Sequence, residues 1–415
     1  PAGAAAGDLP AAAQVTMAVG SEPIPSESIP TGKATLIGAA RYRRFSYGDN
    51  HPLGIPRVSL TIDLIQAYGA LDEEREYLIG RKASDRELTG FHTRDYILAL
   101  QRCEALGKVP HRFREQHNLG NFENPWFPGF FSTPAVATGS SIQGAEEVLA
   151  GRMAFNPAGG MHHARPDQAR GFCYLNDPVM GIQRLRRAGQ RVLYIDIDAH
   201  HGDGVEMAFA DDPEVVTCSL HMDTGYAYPF AGGQATDTGV HGNAVNLPLP
   251  RDLNDTEYRH AFHTLWPRVV AAAAPDAVVL QAGTDILRPD PLGKFTVSTQ
   301  TFLEAVTAIR DASPRHPDGT PKLLALGGGG YHPLVLARCW AGVWAILSGR
   351  ELPEALPESG RELLAEVDWD MDEDEEWYPG LFESRLDPDL AGPLRPEVEA
   401  VVEGLLRDHP LLRQG

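Results

Sequence analysis

Three aspartates and two histidines crowd into the eight positions Asp196-Ile197-Asp198-Ala199-His200-His201-Gly202-Asp203. They close an apolar run, Val192–Ile197, that reads as a buried strand. Residues two apart on a strand share a face, so Asp196 and Asp198 project together beside an apolar layer. Two bare carboxylates in a dry interior are costly. A metal ion, or protonated partners, removes that cost, and His200 is in reach of the same point. A helix N-cap at Asp203 would explain one aspartate but not three. Asp285 follows a second apolar run, Ala277–Gln281. Catalytic zinc sites use three protein ligands and leave one position open. Asp198, His200 and Asp285 supply such a set, and these donors are hard enough for Fe(II), Mn(II) or Co(II) as well.

The remaining chemistry needs a base for water and an acid for the departing nitrogen. His162 and His163, after Gly159-Gly160-Met161, are the candidates, because imidazole titrates in the right range. Asp196 and Asp203 are free to stand behind the two rings and orient them. On its own, a histidine pair in a Gly-rich loop would bond only backbone; the neighbouring clusters favour catalysis. Tyr331 follows Gly327–Gly330 and can offer its hydroxyl to a developing oxyanion. No Gly-Lys-Ser/Thr follows these glycines, which argues against a phosphate loop.

These residues need elements to position them. Strands are expected at Leu36–Ile37, Val192–Ile197, Val215–Leu220, Val245–Leu247, Ala277–Gln281 and Leu323–Leu326. Helices are expected over Arg57–Leu71, Tyr96–Ala105 with Thr93 as N-cap, Ser141–Met153, Asp177–Arg187, Thr256–Ala274, Thr301–Ile309, Pro333–Leu347 and Pro396–Leu406. Asp177 and Pro178 read as N-cap and first helical residue. Asn118–Pro134 reads as an aromatic loop and His221–His241 as a loop. Strands alternating with helices imply an α/β fold: one large domain with a mainly parallel sheet covered on both faces. Loops beyond the strands' carboxyl ends then form the site. Residues 1–33 read as a loosely held tail and 34–415 as the domain, with 370–415 an acidic extension packing on it.

The chain has 415 residues, 43% apolar and 22% charged, with a formal net charge of −20. That charge disfavours direct contact with nucleic acid. Four scattered cysteines without CxxC spacing read as free thiols in a reducing compartment. No stretch reads as a membrane span, and the start lacks the basic region of a signal peptide. A cytoplasmic protein is expected.

The motifs together resemble the zinc-dependent histone deacetylase family, within the arginase/deacetylase fold. The likeness rests on Gly159–Ala164, Gly171-Phe172-Cys173-Tyr174-Leu175-Asn176-Asp177, Asp196–Gly204, Gln281–Asp285 and Leu326–Tyr331, and runs collinearly from about Leu36 to Gly349. The segment Phe45–Tyr68 looks most like the bacterial acetoin-utilisation branch. The resemblance implies Asp198, His200 and Asp285 as ligands of zinc or another divalent ion. It implies His163, backed by Asp203, as general acid/base, and His162, backed by Asp196, as its electrostatic partner. It implies Tyr331 as stabiliser of the tetrahedral intermediate. Gly171, Phe172, Tyr228, Leu292 and Gly329 would contact substrate, with Phe172 and Tyr228 as tunnel walls. Tyr228 stands where phenylalanine is usual, which makes one wall more polar. A structural potassium would be held by groups of Asp196, Asp198, His200, Ser219 and Leu220. Glu123 is the nearest acid to the place where eukaryotic members carry a rim aspartate, in a loop one residue longer.

Three activities fit this reading: an acyl-lysine deacylase acting on proteins or peptides, an amidohydrolase of acetylpolyamines or other small amides, and a catalytically silent acyl-lysine reader. Intact ligands, both histidines and Tyr331 weigh against the reader. A two-metal ureohydrolase needs more acidic ligands than this chain places.

Overall fold

A computed structural model describes residues 32–44, 47–48, 51–369 and 378–414. The expected tail up to residue 31, and the acidic run from residue 370, lie outside them.

Among the described residues, eight strands form one parallel sheet: β1 Ala34–Gly38, β2 Tyr77–Ile79, β3 Met153–Asn156, β4 Val192–Asp196, β5 Val215–Met222, β6 Ala244–Leu249, β7 Ala277–Gln281 and β8 Leu323–Leu326. Their order is β2-β1-β3-β8-β7-β4-β5-β6. Alternate residues of one strand enter different cores. Leu193 and Ile195 pack with the helices Arg57–Ala67, Asp255–Ala273 and Pro333–Ser348, while Val192 and Tyr194 pack with Asp177–Arg187 on the other face. Burial on both faces is why the strands read as continuous apolar runs. The order places β3, β8, β7 and β4 side by side. The loops leaving their carboxyl ends carry His162–His163, Gly327–Tyr331, Asp285 and Asp198–His200.

Two sequence expectations need correction, and one strand was not expected at all. The helix placed at Ser141–Met153 runs Ser132–Leu149, and Met153 opens β3. This helix is buried almost all round, so it shows no amphipathic period. Its start is held from outside, by Glu104 accepting from the Phe131 and Ser132 N–H groups at 2.7 and 2.8 Å. Strand β2 had no sequence signal, being three residues long and half exposed. The cap of Asp177–Arg187 is Asn176, which accepts from Val179 N at 3.3 Å. Asp177 is the first helical residue; its carboxylate turns back to the histidine loop, accepting from Gly160 N at 3.0 Å and Met161 N at 2.8 Å.

The helix Pro396–Asp408 packs beside Asp255–Ala273, where Arg395 pairs with Glu257 at 2.5 Å. All four cysteines are free and buried. Among the described residues, no helix is long and apolar enough to cross a membrane.

Candidate active site

Asp198, His200 and Asp285 are buried and offer ligand atoms that all lie within 4.8 Å of one another. His200 Nδ1 is 3.2 Å from Asp198 Oδ1 and 2.9 Å from Asp285 Oδ2. The other carboxylate oxygens are already engaged. Asp198 Oδ2 accepts from Gly329 N and Gln281 Nε2, each at 2.7 Å, and Asp285 Oδ1 accepts from Ala199 N at 2.8 Å. Both acids are thus aimed, with one oxygen apiece turned to the imidazole. Burial disfavours charge on His200, yet Asp285 and Asp198 raise it to about 10. A place that holds positive charge so firmly fits a divalent cation, and the oxygen and nitrogen donors suit zinc and its neighbours. Gly329 is part of the cradle: a Cβ there would come within 2.1 Å of Asp285 Oδ2.

The two histidines stand beside this triad. His162 Nδ1 lies 2.8 Å from Asp196 Oδ2, and His163 Nδ1 lies 2.7 Å from Asp203 Oδ1. Their Nε2 atoms are 3.0 Å apart. The carboxylates behind them differ. Asp196 accepts from the Tyr194 hydroxyl at 2.6 Å and, among the described residues, meets no guanidinium, whereas Asp203 also meets Arg165 at 2.5 Å and Arg170 at 3.7 Å. Burial opposes charge on His162, but Asp196 and Asp198 outweigh it and lift the ring to about 9. Burial, reinforced by the positive His162, pushes His163 down to about 3.

Tyr331 is held by its main chain, whose N–H donates to Asp290 Oδ2 at 2.7 Å. Burial and the Asp285 and Asp198 charges keep its phenol well above the usual range, so it remains a donor. A tunnel lined by Phe172, Tyr228, Leu292, Gly171 and Tyr331 leads to His163 and His200. The Phe172 ring meets Tyr331 edge-on at 5.9 Å, and Tyr228 meets His163 edge-on at 4.8 Å. All thirteen residues expected to bind metal or substrate or to do chemistry therefore sit at one end of the sheet. Strand pairing sets Ser219 beside Asp196, with Leu220 next to it.

Sequence reasoning gave no role to Arg57, Gln281 and Asp290. Arg57 is buried and donates to Gly328 O at 2.7 Å and Gly330 O at 3.1 Å, fixing the glycine loop before Tyr331. Its one sequence signal was its place directly after Pro56, at the head of the helix Arg57–Ala67. With Leu53 and Met161 it borders both the floor of the site and a mainly apolar cavity lined by Tyr42, Tyr47 and Tyr174.

The match to other proteins is extensive. Residues 51–347 fit the histone deacetylase domain. This chain belongs to the histone deacetylase family. Among curated relatives, histone deacetylase 8 of Xenopus tropicalis is 36% identical over 75% of this chain and 83% of its own length. The AcuC acetoin utilization protein of Bacillus subtilis is 33% identical over 78% and 84%. A solved histone deacetylase homologue from Aquifex aeolicus is 42% identical, with a TM-score of 0.84 over 90% of this chain and 99% of that one. An equally similar structure is of a homologue complexed with SAHA. The expected fold is confirmed, a metal-dependent deacetylase is the family assignment, and the chain is also similar to a member of the acetoin-utilisation branch.

Proposed function

We propose that this protein is a zinc-dependent deacylase that hydrolyses the acyl amide of acyl-lysine side chains in proteins or peptides, with acetyl as the default acyl group. The carrying observation is the aromatic-lined tunnel that leads to His163 and His200, where Asp198 and Asp285 converge on the same imidazole. Apolar walls and a polar end suit a methylene chain tipped by an amide.

Asp198, His200 and Asp285 would hold the cation, which supplies an acidified water and a polarised carbonyl when bound. His163 borders the tunnel and is neutral, the state required of a base. It takes the proton of the attacking water at Nε2 and returns it to the lysine nitrogen as the amide bond breaks. Asp203 fixes its tautomer through Nδ1. His162, backed by Asp196, keeps positive charge beside the reacting centre. The Tyr331 hydroxyl donates to the developing oxyanion. Phe172, Tyr228 and Leu292 exclude water from the chain, Gly171 O accepts from the substrate amide, and Gly329 leaves room for the ligands. Carbonyl and hydroxyl groups of Asp196, Asp198, His200, Ser219 and Leu220 would hold potassium. We take the residues from 34 onward as one catalytic domain that works in the cytoplasm without nucleic acid.

A second reading, hydrolysis of acetylpolyamines, has its own support. A groove beside the tunnel mouth shares Phe122, Leu292 and Tyr331 with it, and its wall carries the acids Glu366 and Asp368 together with Asp63, which is paired with Arg43. Metal-reconstituted protein, assayed on acyl-lysine peptides and acetylpolyamines, tests both. Higher kcat/KM on peptides supports the first reading. A large excess on acetylpolyamines replaces it with the second.

A further inference from the structure

We propose that Glu123 is a positioning residue that clasps the two walls of the acyl tunnel to each other, and is not an acid offered to the substrate. The proposal rests on the deacylase reading for its consequences in catalysis, but its geometry stands apart from it.

Glu123 lies in a loop whose tip is Phe122, 76% exposed. Phe122 points out and Glu123 turns back in. A single carboxylate oxygen, Oε1, accepts from Gly171 N at 2.5 Å and from the Tyr228 hydroxyl at 3.0 Å. The second, Oε2, accepts from Asn118 Nδ2 at 3.3 Å. Three segments far apart in sequence therefore meet at one side chain.

Each partner has a reason to need holding. Gly171 and Phe172 both sit in the left-handed region, at φ +52° and +66°. For phenylalanine that conformation is costly, and it persists only where surrounding bonds enforce it. Arg170 and Cys173 close the turn through reciprocal main-chain bonds of 3.1 and 2.8 Å, and Glu123 takes the Gly171 N–H. Tyr228 packs directly on this turn: a Cβ on Gly171 would come within 2.8 Å of its ring. Burial and the Glu123 charge keep the Tyr228 phenol protonated, so it can donate. The clasp also reaches the reacting centre. The Arg170 guanidinium lies 5.9 Å from the Tyr228 ring centroid and 3.7 Å from Asp203, the carboxylate behind His163.

With both oxygens engaged inside the protein, Glu123 has little capacity left for a substrate backbone. Tunnel width, set by the clasp, is then what selects the acyl group. A peptide and a small acylated amine stand on equal footing at this residue.

The test uses the full zinc-loaded chain and the variants Glu123→Ala, Glu123→Gln, Tyr228→Phe and Glu123→Ala/Tyr228→Phe. Steady-state kinetics are measured on an acetyl-lysine peptide, a butyryl-lysine peptide and N-acetylspermidine. Glutamine keeps an acceptor oxygen, so Glu123→Gln should stay within about threefold of wild type. Glu123→Ala should lose about tenfold in kcat/KM on peptide and polyamine alike, mainly through KM, and should discriminate less between acetyl and butyryl. Adding Tyr228→Phe to it should cost little more, since both remove one shared interaction. A loss confined to peptides, or equal damage from Gln and Ala, would overturn the clasp. Amide hydrogen exchange at residues 170–173 needs no substrate. Protection kept in Glu123→Gln and lost in Glu123→Ala supports the clasp, and equal protection in both refutes it. Should the wild type turn over none of the substrates, the deacylase reading fails while hydrogen exchange still decides the clasp.

Discussion

The Nε2 atoms of His162 and His163 face each other at 3.0 Å, while each ring gives its Nδ1 to a separate carboxylate. With both Nδ1–H bonds donated to Asp196 and Asp203, two Nε2 lone pairs would point at each other. One additional proton between them removes that conflict. The pair is therefore built to hold a single proton, and the Nε2 of His163 can take one from water only when the His162 Nε2–H bond to it opens. His162, with the Asp196 and Asp198 carboxylates near it, keeps the charge, and His163, buried beside that positive ring, is the neutral member.

Of the two rings, only His163 borders the tunnel. His163→Ala should therefore lower kcat by about 10²–10⁴-fold, and His162→Ala by clearly less. Both would be measured on an acetyl-lysine peptide at saturating substrate. The reverse order would exchange the two assignments.

Tyr331 is anchored through its main chain, so removing its hydroxyl should leave the fold alone. Tyr331→Phe is expected to reduce kcat by about 10²–10³-fold. The melting temperature should move by no more than about 2 °C. Near-normal turnover would remove Tyr331 from the mechanism.

Gly329→Ala should cost the metal before it costs the fold. The added methyl would meet Asp285 Oδ2 at 2.1 Å and Asp198 Oδ2 at 2.8 Å, spreading two of the three ligands. Metal analysis after desalting should show a substoichiometric site in a protein with an unchanged circular dichroism spectrum. Full metal occupancy would contradict the ligand geometry.

The site was legible because its residues come in dense runs after strand-like segments, and because β3, β8, β7 and β4 are neighbours. What escaped was of two kinds. Helix Ser132–Leu149 and the short β2 and β3 show no clean period, since one is buried on nearly every side and the others are three and four residues long. Arg57 and Glu123 act through partners 271 and 105 positions away, Gly328 and Tyr228, and no local pattern announces such pairings.

His92 ties the helix start at Asn176 to the histidine loop. Its Nε2 accepts from Asn176 N at 3.0 Å and its Nδ1 donates to Arg165 O at 3.0 Å. Burial pushes the ring down to about 4, so the folded protein keeps it neutral. The unfolded chain protonates it near 6.5. Its contribution to stability is complete above pH 6.5 and drains away as pH falls toward 4. Between pH 7 and pH 5 the wild type should lose about 2 kcal/mol from this residue alone. Urea unfolding of metal-free wild type and His92→Gln at both pH values checks it: the pH-dependent loss should be smaller in the variant by about that amount. Identical losses would clear His92 of any part in acid sensitivity.

The decisive measurement is hydrolysis of an acetyl-lysine peptide by the full chain before chelation, after exhaustive chelation, and after return of zinc. If Asp198, His200 and Asp285 grip one essential cation, turnover should vanish with the metal and reappear in proportion to zinc, reaching its maximum at one equivalent. Undiminished turnover in the stripped protein would contradict the account.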